Sequence, residues 1–439
     1  MSASLPCRTR MLPLALAIGI QVTAAPPAPP APPATSIISI TVDTAARRPF
    51  STAITLDGRD YTLQLAPVSV RSPGYRLLVQ GADGSLCATQ PSPEKTVHGR
   101  LIEEPTSRAA GSVLADGLHV SIDLGGGDRY WIEPLGSRIA GAAARQHVVY
   151  RESDVIRGGV CGTDTALSTL TKTPPPKSRG GINGCSITEL FCDTDYEYFQ
   201  LFGSVQATED RINFIINTMN LQYEREVFIS YVIDGIVVRT DINDPYEELV
   251  PFPFLLEFKS YWNQPPPPPG DVRLMFTARA LPQSSYGLAL AGICTNNGFA
   301  YARTEILGYD AFATSICAHE LGHVWGAGHC CISTTMNAGV RGYNSFAAQS
   351  IYEIDLGRDS ANCLDTSCPG DFDCDGVVDV RDWLILLAEW GICQSFQPPG
   401  DPQVPTIPLP CRADLNDDDT VDVLDQGTLF SSWGPCPSF

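Results

Sequence analysis

The sequence predicts a multidomain chain with a β-rich N-terminal part, a central α/β domain and a small α-helical domain near the C-terminus. With 439 residues, the chain is too long for one ordinary domain. From Ile37 to Tyr150, short runs of alternating apolar and polar residues are separated by glycine-rich turns. Helical stripes and short apolar runs then occupy residues 185–364, and after residue 368 an acidic loop followed by an apolar stretch occurs twice.

Composition argues against several classes of partner. The chain has 49 acidic and 29 basic residues and a net charge of -20, so nucleic acid and anionic membrane surfaces are not expected as partners. Its 15 cysteines include no C-x-x-C pair. This pattern favours disulfides over structural zinc sites.

The first residues predict export. Two arginines precede an apolar run from Met11 to Ile20, and Val22-Thr23-Ala24 resembles a small-residue cleavage site. Residues 1–24 are therefore interpreted as a secretory signal peptide, followed by a proline-rich spacer at 25–35. No later apolar run approaches the roughly 18 residues that a membrane span needs. We expect a secreted, extracellular protein of bacterial origin, soluble or attached to the cell surface, with no membrane span.

The N-terminal part is predicted to be built from β-hairpins. Alternating runs such as Tyr61–Leu65, Tyr75–Val79 and Leu118–Ile122 are typical of half-buried strands. Turn sequences such as Ala82-Asp83-Gly84 lie between them.

The stretch from His319 to His329 carries the strongest chemical signal. On a helix, residues four apart share a face, so His319 and His323 point at one spot with Glu320 beside them. Gly326 can end the helix in a left-handed turn, which lets His329 return as a third ligand. Three neutral imidazoles with an open fourth position describe a hydrolytic zinc site, in which Glu320 serves as the base.

Chance is the alternative for the short motif, because H-E-x-x-H occurs on ordinary helices and a methionine is often plain core packing. Here the longer H-E-x-x-H-x-x-G-x-x-H is complete, and Met336 follows His329 by seven residues. The pattern resembles that of the metzincin zinc endopeptidases, with Met336 in their Met-turn. The resemblance implies an α/β catalytic domain over residues 185–364, with a mixed sheet and a zinc-binding helix.

Further features of this domain follow from its sequence and the resemblance. Tyr286–Ala289 resembles the edge strand on which metzincins lay an extended substrate, although a loop in the core remains an alternative. Cys330 and Thr334 stand where the reprolysin family of metzincins usually has aspartate and cysteine, and they leave the local disulfides open. Other expected elements are helices over 207–219 and 346–354, strands over 227–233 and 272–276, and a surface loop containing prolines 265–269.

Four short pieces of the N-terminal part occur in a characteristic order: His98-Gly99-Arg100, Ser107-Arg108, Tyr130–Leu135 and His147–Tyr150. On these pieces, residues 36–170 resemble the propeptide of the reprolysin (adamalysin) family. In that family a Cys-Gly pair at the place of Cys161-Gly162 acts as a cysteine switch, with the thiolate in the open zinc position. A disulfide at Cys161 is the alternative.

Linker composition and cysteine parity add two expectations. Residues 171–184 are rich in proline and glycine, and we expect propeptide removal within this exposed linker.

If Cys7 leaves with the signal peptide and Cys161 is the switch, 13 cysteines remain. One further thiol is then expected, with the adjacent Cys330 and Cys331 as candidates.

Two acidic segments predict calcium loops, because oxygen donors recur at positions 1, 3, 5, 9 and 12 of each. Each loop leads into an apolar stretch ending in Trp-Gly, and residues 368–439 resemble a type I dockerin. Asp419 replaces the usual loop glycine, so the second loop should bind more weakly. Val380-Arg381 and Val423-Leu424 stand where cohesin-binding dockerins carry Ser-Thr, which argues against a cohesin partner. The predicted ligands are Asp371, Asp373, Asp375, Asp379 and Asp382, then Asp414, Asn416, Asp418, Asp422 and Asp425.

These features predict a secreted zinc metalloendopeptidase, made as a latent zymogen, that hydrolyses peptide bonds in proteins. The expected cofactors are catalytic Zn2+ and Ca2+ in the dockerin-like loops, and the partners are protein or peptide substrates and an extracellular docking partner. One alternative is a calcium-binding dockerin-type scaffold whose protease domain is secondary, although the intact zinc motif argues against it. Another is a component of a polysaccharide-degrading complex, but no glycosidase carboxylate pair is identifiable.

Overall fold

The computed structural model describes most of the chain between residues 36 and 436. The predicted signal peptide, the spacer, all of the linker but Gly184, and prolines 265–269 lie outside the described residues. Residues not described are 1–35, 43–47, 126–128, 138–140, 144, 156–160, 162–183, 265–269, 282–284, 296, 306–307, 341, 394, 397–406, 409–410, 417 and 437–439.

Residues 36–155 form the N-terminal β domain, whose predicted hairpins are confirmed. Eight of its strands make one antiparallel sheet in the order β1-β10-β9-β8-β7-β6-β3-β2. Asp57 and Gly58 form the two-residue turn between β2 and β3, both with positive φ, as such tight hairpins require. The strands of this part are β1 (Ser36–Ser39), β2 (Phe50–Leu56), β3 (Arg59–Pro67), β4 (Arg71–Gln80), β5 (Leu86–Thr89), β6 (Thr96–Leu101), β7 (Arg108–Val113), β8 (Leu118–Asp123), β9 (Arg129–Pro134) and β10 (Gln146–Arg151).

The central α/β domain is built on a mixed sheet. Strands β11, β12, β13 and β15 run parallel, while β14 is antiparallel to β15 and forms one edge. The predicted strand 272–276 is confirmed. Its elements are β11 (Ser186–Thr194), α1 (Tyr196–Phe202), α2 (Val205–Val227), β12 (Ile229–Val238), α3 (Pro251–Trp262), β13 (Val272–Phe276), β14 (Gly287–Leu290), β15 (Phe299–Ala302), α4 (Asp310–Val324) and α5 (Ala348–Ser360).

Two strands of the N-terminal β domain belong to the sheet of the α/β domain. The sheet order is β14-β15-β13-β11-β12-β4-β5, so β4 lies beside β12 and runs parallel to it. The two domains therefore share a sheet as well as a covalent connection.

Helix α2 is longer than the helix predicted over 207–219. The predicted C-terminal end is wrong. The apolar stripe ended the prediction at Met219, but the helix continues to Val227. Polar residues such as Asn220 and Glu224 are buried along this extension. Tyr223 and Val227, four and eight residues after Met219, also lie in the apolar core, and this tertiary packing stabilises the last two turns. The helix predicted over 346–354 likewise extends to Ser360, and the strand predicted from residue 227 begins at Ile229.

The C-terminal segments form a small duplicated unit. Helices α6 (Val380–Ala388) and α7 (Val423–Ser431) each follow an acidic loop. Two pairs of short strands, β17 with β22 and β18 with β21, connect the two halves, whereas β16 pairs with β11 of the α/β domain. Among the described parts of the chain, no helix is both long and apolar enough to cross a bilayer. The short strands are β16 (Asp365–Thr366), β17 (Val377–Val378), β18 (Gly391–Ile392), β19 (Ser395–Phe396), β20 (Ile407–Pro408), β21 (Thr420–Val421) and β22 (Gly434–Pro435).

Disulfides, expected from the cysteine content, join described residues within and between these units. Cys185, just before β11, is bonded to Cys374 in the first acidic loop, which ties the C-terminal unit to the α/β domain. The other described bonds are Cys294–Cys363, Cys368–Cys436 and Cys393–Cys411.

Candidate metal centre and active site

Helix α4 carries His319, Glu320 and His323 through the centre of the molecule. All of its residues are buried, and it packs against α2 and against strands β14 and β15. Its last helical residue is Val324, and Gly326 has a φ of 99°, a left-handed conformation that glycine adopts without strain. The turn at Gly326 sends the chain back towards the helix and brings His329 to the other two histidines.

The three histidines converge on one point. Nε2 of His323 lies 3.1 Å from Nε2 of His319 and 3.1 Å from Nε2 of His329, and the remaining pair is 3.2 Å apart. A tetrahedral ion with Zn–N bonds of about 2.0–2.1 Å would separate its ligand nitrogens by about 3.3 Å. The spacing of the three nitrogens therefore fits zinc.

Backbone carbonyls fix the tautomers of two of these rings. Nδ1 of His319 lies 2.6 Å from the carbonyl oxygen of Thr335, and Nδ1 of His323 lies 2.7 Å from that of Ala327. A carbonyl can only accept, so each Nδ1 must donate its proton. In the neutral rings, both Nε2 atoms then carry lone pairs that face each other and repel. A cation bound between them would accept both lone pairs and remove the repulsion.

Glu320 lies beside the histidines in a fully buried position. Its Oε1 has no hydrogen-bond partner among the described residues. Burial raises the pKa of the Glu320 carboxyl well above its usual range, and a hydrogen bond from Cys161 opposes this shift. A buried carboxylate oxygen without a protein partner is suited to a ligand or a water molecule.

The edge strand β14 approaches Glu320 closely because residue 287 is glycine. A Cβ built on Gly287 would lie 2.2 Å from Oε1 of Glu320. The edge strand expected at Tyr286–Ala289 begins one residue later, at Gly287, and is indeed at the sheet edge. An extended peptide on this edge would therefore pass next to the carboxylate.

Met336 is fully buried and packs against the zinc-motif helix at Gly322. A Cβ on Gly322 would lie 2.5 Å from Sδ of Met336, so glycine is required for this close packing. Thr335, the preceding residue, provides the carbonyl for His319 and is itself held by hydrogen bonds with Gln222 and Tyr343. The segment around Met336 thus packs against the histidine-bearing helix and orients His319.

The thiol of Cys161 completes a four-membered cluster. Its Sγ lies 3.6 Å from Nε2 of His323 and 3.8 Å from Oε2 of Glu320, and Cys161 is 3% exposed. One ligand atom from each of Cys161, His319, His323 and His329 lies within 4.8 Å of the others. Cys161 is a thiol here, not a disulfide partner. Its assignment as a cysteine switch stays a prediction.

The number of thiols that cysteine parity predicted is wrong. Parity predicted one thiol besides Cys161, whereas the described residues include four: Cys192, Cys317, Cys330 and Cys331. Cys192 and Cys317 are buried in the core, where cysteine behaves as a small apolar side chain. Parity gives only the minimum number of thiols, so it could not reveal a buried pair.

The first acidic loop gathers three buried carboxylates. Oxygen atoms of Asp371, Asp373 and Asp382 lie within 4.8 Å of one another. Burial and the neighbouring carboxylates raise the pKa of Asp371 to about 7. Burial is also the main cause that raises the pKa values of Asp375 and Asp382 to about 6. Such mutual repulsion is relieved by a bound cation, so the residues fit calcium.

The second loop repeats the first, with an aspartate in place of the loop glycine. Asp425 accepts hydrogen bonds from the amides of Leu415, Asn416 and Asp422, as Asp382 does from the matching residues of the first loop. Asp419 has a φ of 66° where Gly376 has 79°. Glycine adopts this left-handed region without strain, and aspartate is one of the few other residues that occur there.

The side chains of the remaining predicted calcium ligands make hydrogen bonds or ion pairs within the two loops. Asp375 pairs with Arg381 at 2.9 Å, and Asp379 and Asp422 cap helices α6 and α7. The side-chain Nδ2 of Asn416 donates to a carboxylate oxygen of Asp418 at 3.0 Å. The side chain of Asp414 accepts hydrogen bonds from the amides of Asp418 and Asp419.

Comparison with protein families shows that the central α/β domain is similar to known metallopeptidases. The family model Reprolysin_5, described as metallo-peptidase family M12, matches residues 186–363. No curated protein matches the chain in a sequence search. The matched region contains the histidine cluster and Glu320, and its similarity to zinc-dependent M12 metallopeptidases indicates a hydrolase that acts on proteins.

Proposed function

We propose that the chain is a secreted zinc metalloendopeptidase made as a latent precursor. The observation that carries this proposal is the convergence of three histidine Nε2 atoms at 3.1–3.2 Å beside a buried glutamate. The peptidase class is supported by the family match over residues 186–363.

Each residue of the site has a role in peptide hydrolysis. His319, His323 and His329 would hold zinc, which polarises the scissile carbonyl and lowers the pKa of a bound water to about 7. Glu320 takes a proton from the attacking water and passes it to the leaving amine. The edge of β14 holds the substrate chain in register by backbone hydrogen bonds.

Cys161 would keep the precursor latent. Its thiol lies where the attacking water and the scissile carbonyl must come together, beside Glu320 and His323. A thiolate is a good zinc ligand, so it would compete with water for the open position. Activity then requires that the thiol leaves the site.

The C-terminal unit is proposed to bind calcium and an extracellular docking partner. The clustered carboxylates of Asp371, Asp373 and Asp382 support the first site. Exposed apolar side chains on α6 and α7, including Leu384 and Phe430, offer a contact surface for the partner. Export itself is proposed from residues 1–24.

A direct assay tests the proposed activity. The secreted protein, treated with a thiol-modifying reagent, should cleave a denatured protein at internal peptide bonds, and a zinc chelator should abolish the cleavage. Mass spectrometry of the products distinguishes internal cuts from removal of terminal residues. Cleavage that continues at full rate in the chelator would overturn the proposal.

A further inference from the structure

We propose that the N-terminal β domain is a permanent subunit of the folded enzyme. It stays bound to the α/β domain after the chain is cut within residues 171–184. The binding surface is formed by strand β12, helix α2 and the start of helix α4, and its partner is the chain's own residues 36–155. This inference rests on the contacts between the two domains, and only its consequence for latency rests on the proposed function.

Strand β4 is the first reason. Ten residues long, it pairs in parallel with β12 at Arg71–Ile233 and, after an irregularity, over the continuous register from Arg76–Gly235 to Val79–Val238. Without β4, the backbone N–H and C=O groups along one side of β12 would lose their partners, and β12 would become an exposed edge. Dissociation therefore requires the β4–β5 hairpin to be removed from one end of the sheet, which breaks all of the pairing between β4 and β12.

The start of the zinc-motif helix is the second reason. The amide of Asp310, the first residue of α4, donates to Oε1 of Glu133 at 2.9 Å. The amide of Ala311 lies 3.3 Å from the hydroxyl oxygen of Tyr150. Glu133 and Tyr150 belong to β9 and β10, so the β domain satisfies amides at the helix start that would otherwise need another acceptor.

A shared apolar core is the third reason. Leu77, Trp131, Val148 and Tyr150 of the β domain are 0–2% exposed and belong to the same core cluster as the residues of the α/β domain. Apolar burial is the main favourable contribution to stable association. An interface with such a core resembles an obligate one more than a transient contact between domains.

The ion pairs across the interface contribute mainly to its register. Glu209 of α2 contacts Arg71 at 2.9 Å and Tyr75 at 2.8 Å, and Asp210 contacts Lys95 at 2.6 Å. Water would hydrate all these groups after separation, so their net contribution to affinity is small. The strand pairing and the apolar core are therefore the contacts that hold the domain.

Retention of the domain changes the expected route of activation. A cut within residues 171–184 leaves Cys161 attached to the retained domain, six residues after Val155. The thiol then stays at high effective concentration near the histidines. If the proposed function is right, a single cut in this linker leaves the enzyme latent until the thiol is modified or residues 156–160 are also cut.

The test uses the full chain with a recognition sequence for a site-specific protease in place of residues 173–179. After complete cutting under native conditions, size-exclusion chromatography at micromolar and nanomolar concentration should give one peak that contains both fragments. Hydrogen exchange should show unchanged protection of the amides in residues 233–238. Two separate folded peaks, or exposure of these amides after cutting, would overturn the proposal.

Matched variants on β4 connect retention to the shared core. Leu77→Gln, at a position 2% exposed, should let the cut fragments separate, whereas Arg76→Gln, at the adjacent exposed position, should leave them together. If Leu77→Gln fails to fold, the uncut and cut parent chains still decide the question. Activity of the cut chain, measured separately, tests the proposed function. If the fragments stay together but the complex remains inactive even after thiol modification, only the proposed function is contradicted.

Discussion

The Sγ atom of Cys161 lies 3.6 Å from Nε2 of His323, although 162 residues separate them in the chain. The backbone amide of Cys161 also donates to the carbonyl of Ala338 at 3.1 Å, so the contact is held from the backbone as well as the side chain. Folding of the N-terminal region against the α/β domain is therefore what brings a thiol to the candidate metal centre.

Replacing Cys161 with alanine should produce an active full-length precursor. The three histidines remain to hold the metal, and the position beside Glu320 becomes accessible to water. Cleavage of a quenched fluorescent protein substrate by uncut wild type and uncut Cys161→Ala measures the effect. Cys192→Ala is the matched control, because it removes a buried thiol away from the histidines and should stay latent. A wild-type precursor that is as active as Cys161→Ala would contradict the switch.

Gly287→Ala should lower kcat/KM by about 100-fold, the typical effect of misplacing a catalytic group by 1 Å. The added Cβ would lie 2.2 Å from Oε1 of Glu320, so the carboxylate or the edge strand must move. Gly74→Ala is the control in β4, where the nearest atom would be 3.6 Å away. Both variants are compared in a Cys161→Ala background, and equal activity would show that β14 does not constrain Glu320.

Calcium should raise the stability of the chain through the acidic loops. A ligand present at 100 times its dissociation constant stabilises the folded state by about 2.7 kcal/mol. Isothermal calorimetry should resolve a tighter and a weaker site. Asp382→Asn should remove the tighter one and Asp425→Asn the weaker one, since Asp419 replaces the usual glycine of the second loop. An absence of calcium heat and of any shift in Tm would remove this claim.

His119 should make the stability of the folded chain depend on pH in the alkaline range. Burial lowers the pKa of His119, but the carboxylates of Asp310 and Asp116 raise it by more, to about 9. Since this folded pKa is above the ordinary value of 6.5, the stabilisation is complete below about pH 6.5 and is lost as the pH rises through about 9.

Urea unfolding of wild type and His119→Asn measures this effect. The difference in their free energies of unfolding should shrink by about 2–3 kcal/mol between pH 7 and pH 10. His98→Asn is the control, because burial lowers the pKa of His98 to about 4 and the ring is neutral throughout this range. A His119→Asn difference that stays constant with pH would contradict the ion pair with Asp310.

Local patterns in the sequence predicted the chemical core of the site. The spacing of His319, His323 and His329 already required a helix followed by a turn, and glycine at 326 provided that turn. Strand β13 was predicted because four of its five residues are apolar and loop residues bound it. These features depend on neighbours within about one helical turn or a few strand residues, which a sequence records directly.

Contacts between distant parts of the chain were beyond such patterns. Residues Tyr75–Val79 were predicted as a strand, but nothing local indicates that β4 joins the sheet of another domain. The close packing at Gly287 and the helix-capping role of Glu133 were missed for the same reason. The bond between Cys185 and Cys374 spans 189 residues, and cysteine parity gives no pairing.

The most direct test of the central claim is the cleavage rate of Glu320→Ala relative to its parent, both carrying Cys161→Ala and both loaded with zinc. Metal content measured on the same samples should be one zinc per chain in each, because the three imidazoles are unchanged. The cleavage rate of a denatured protein should fall by about 10²–10⁴-fold, the typical effect of losing a general base. Undiminished cleavage by Glu320→Ala with zinc still bound would contradict the proposed site.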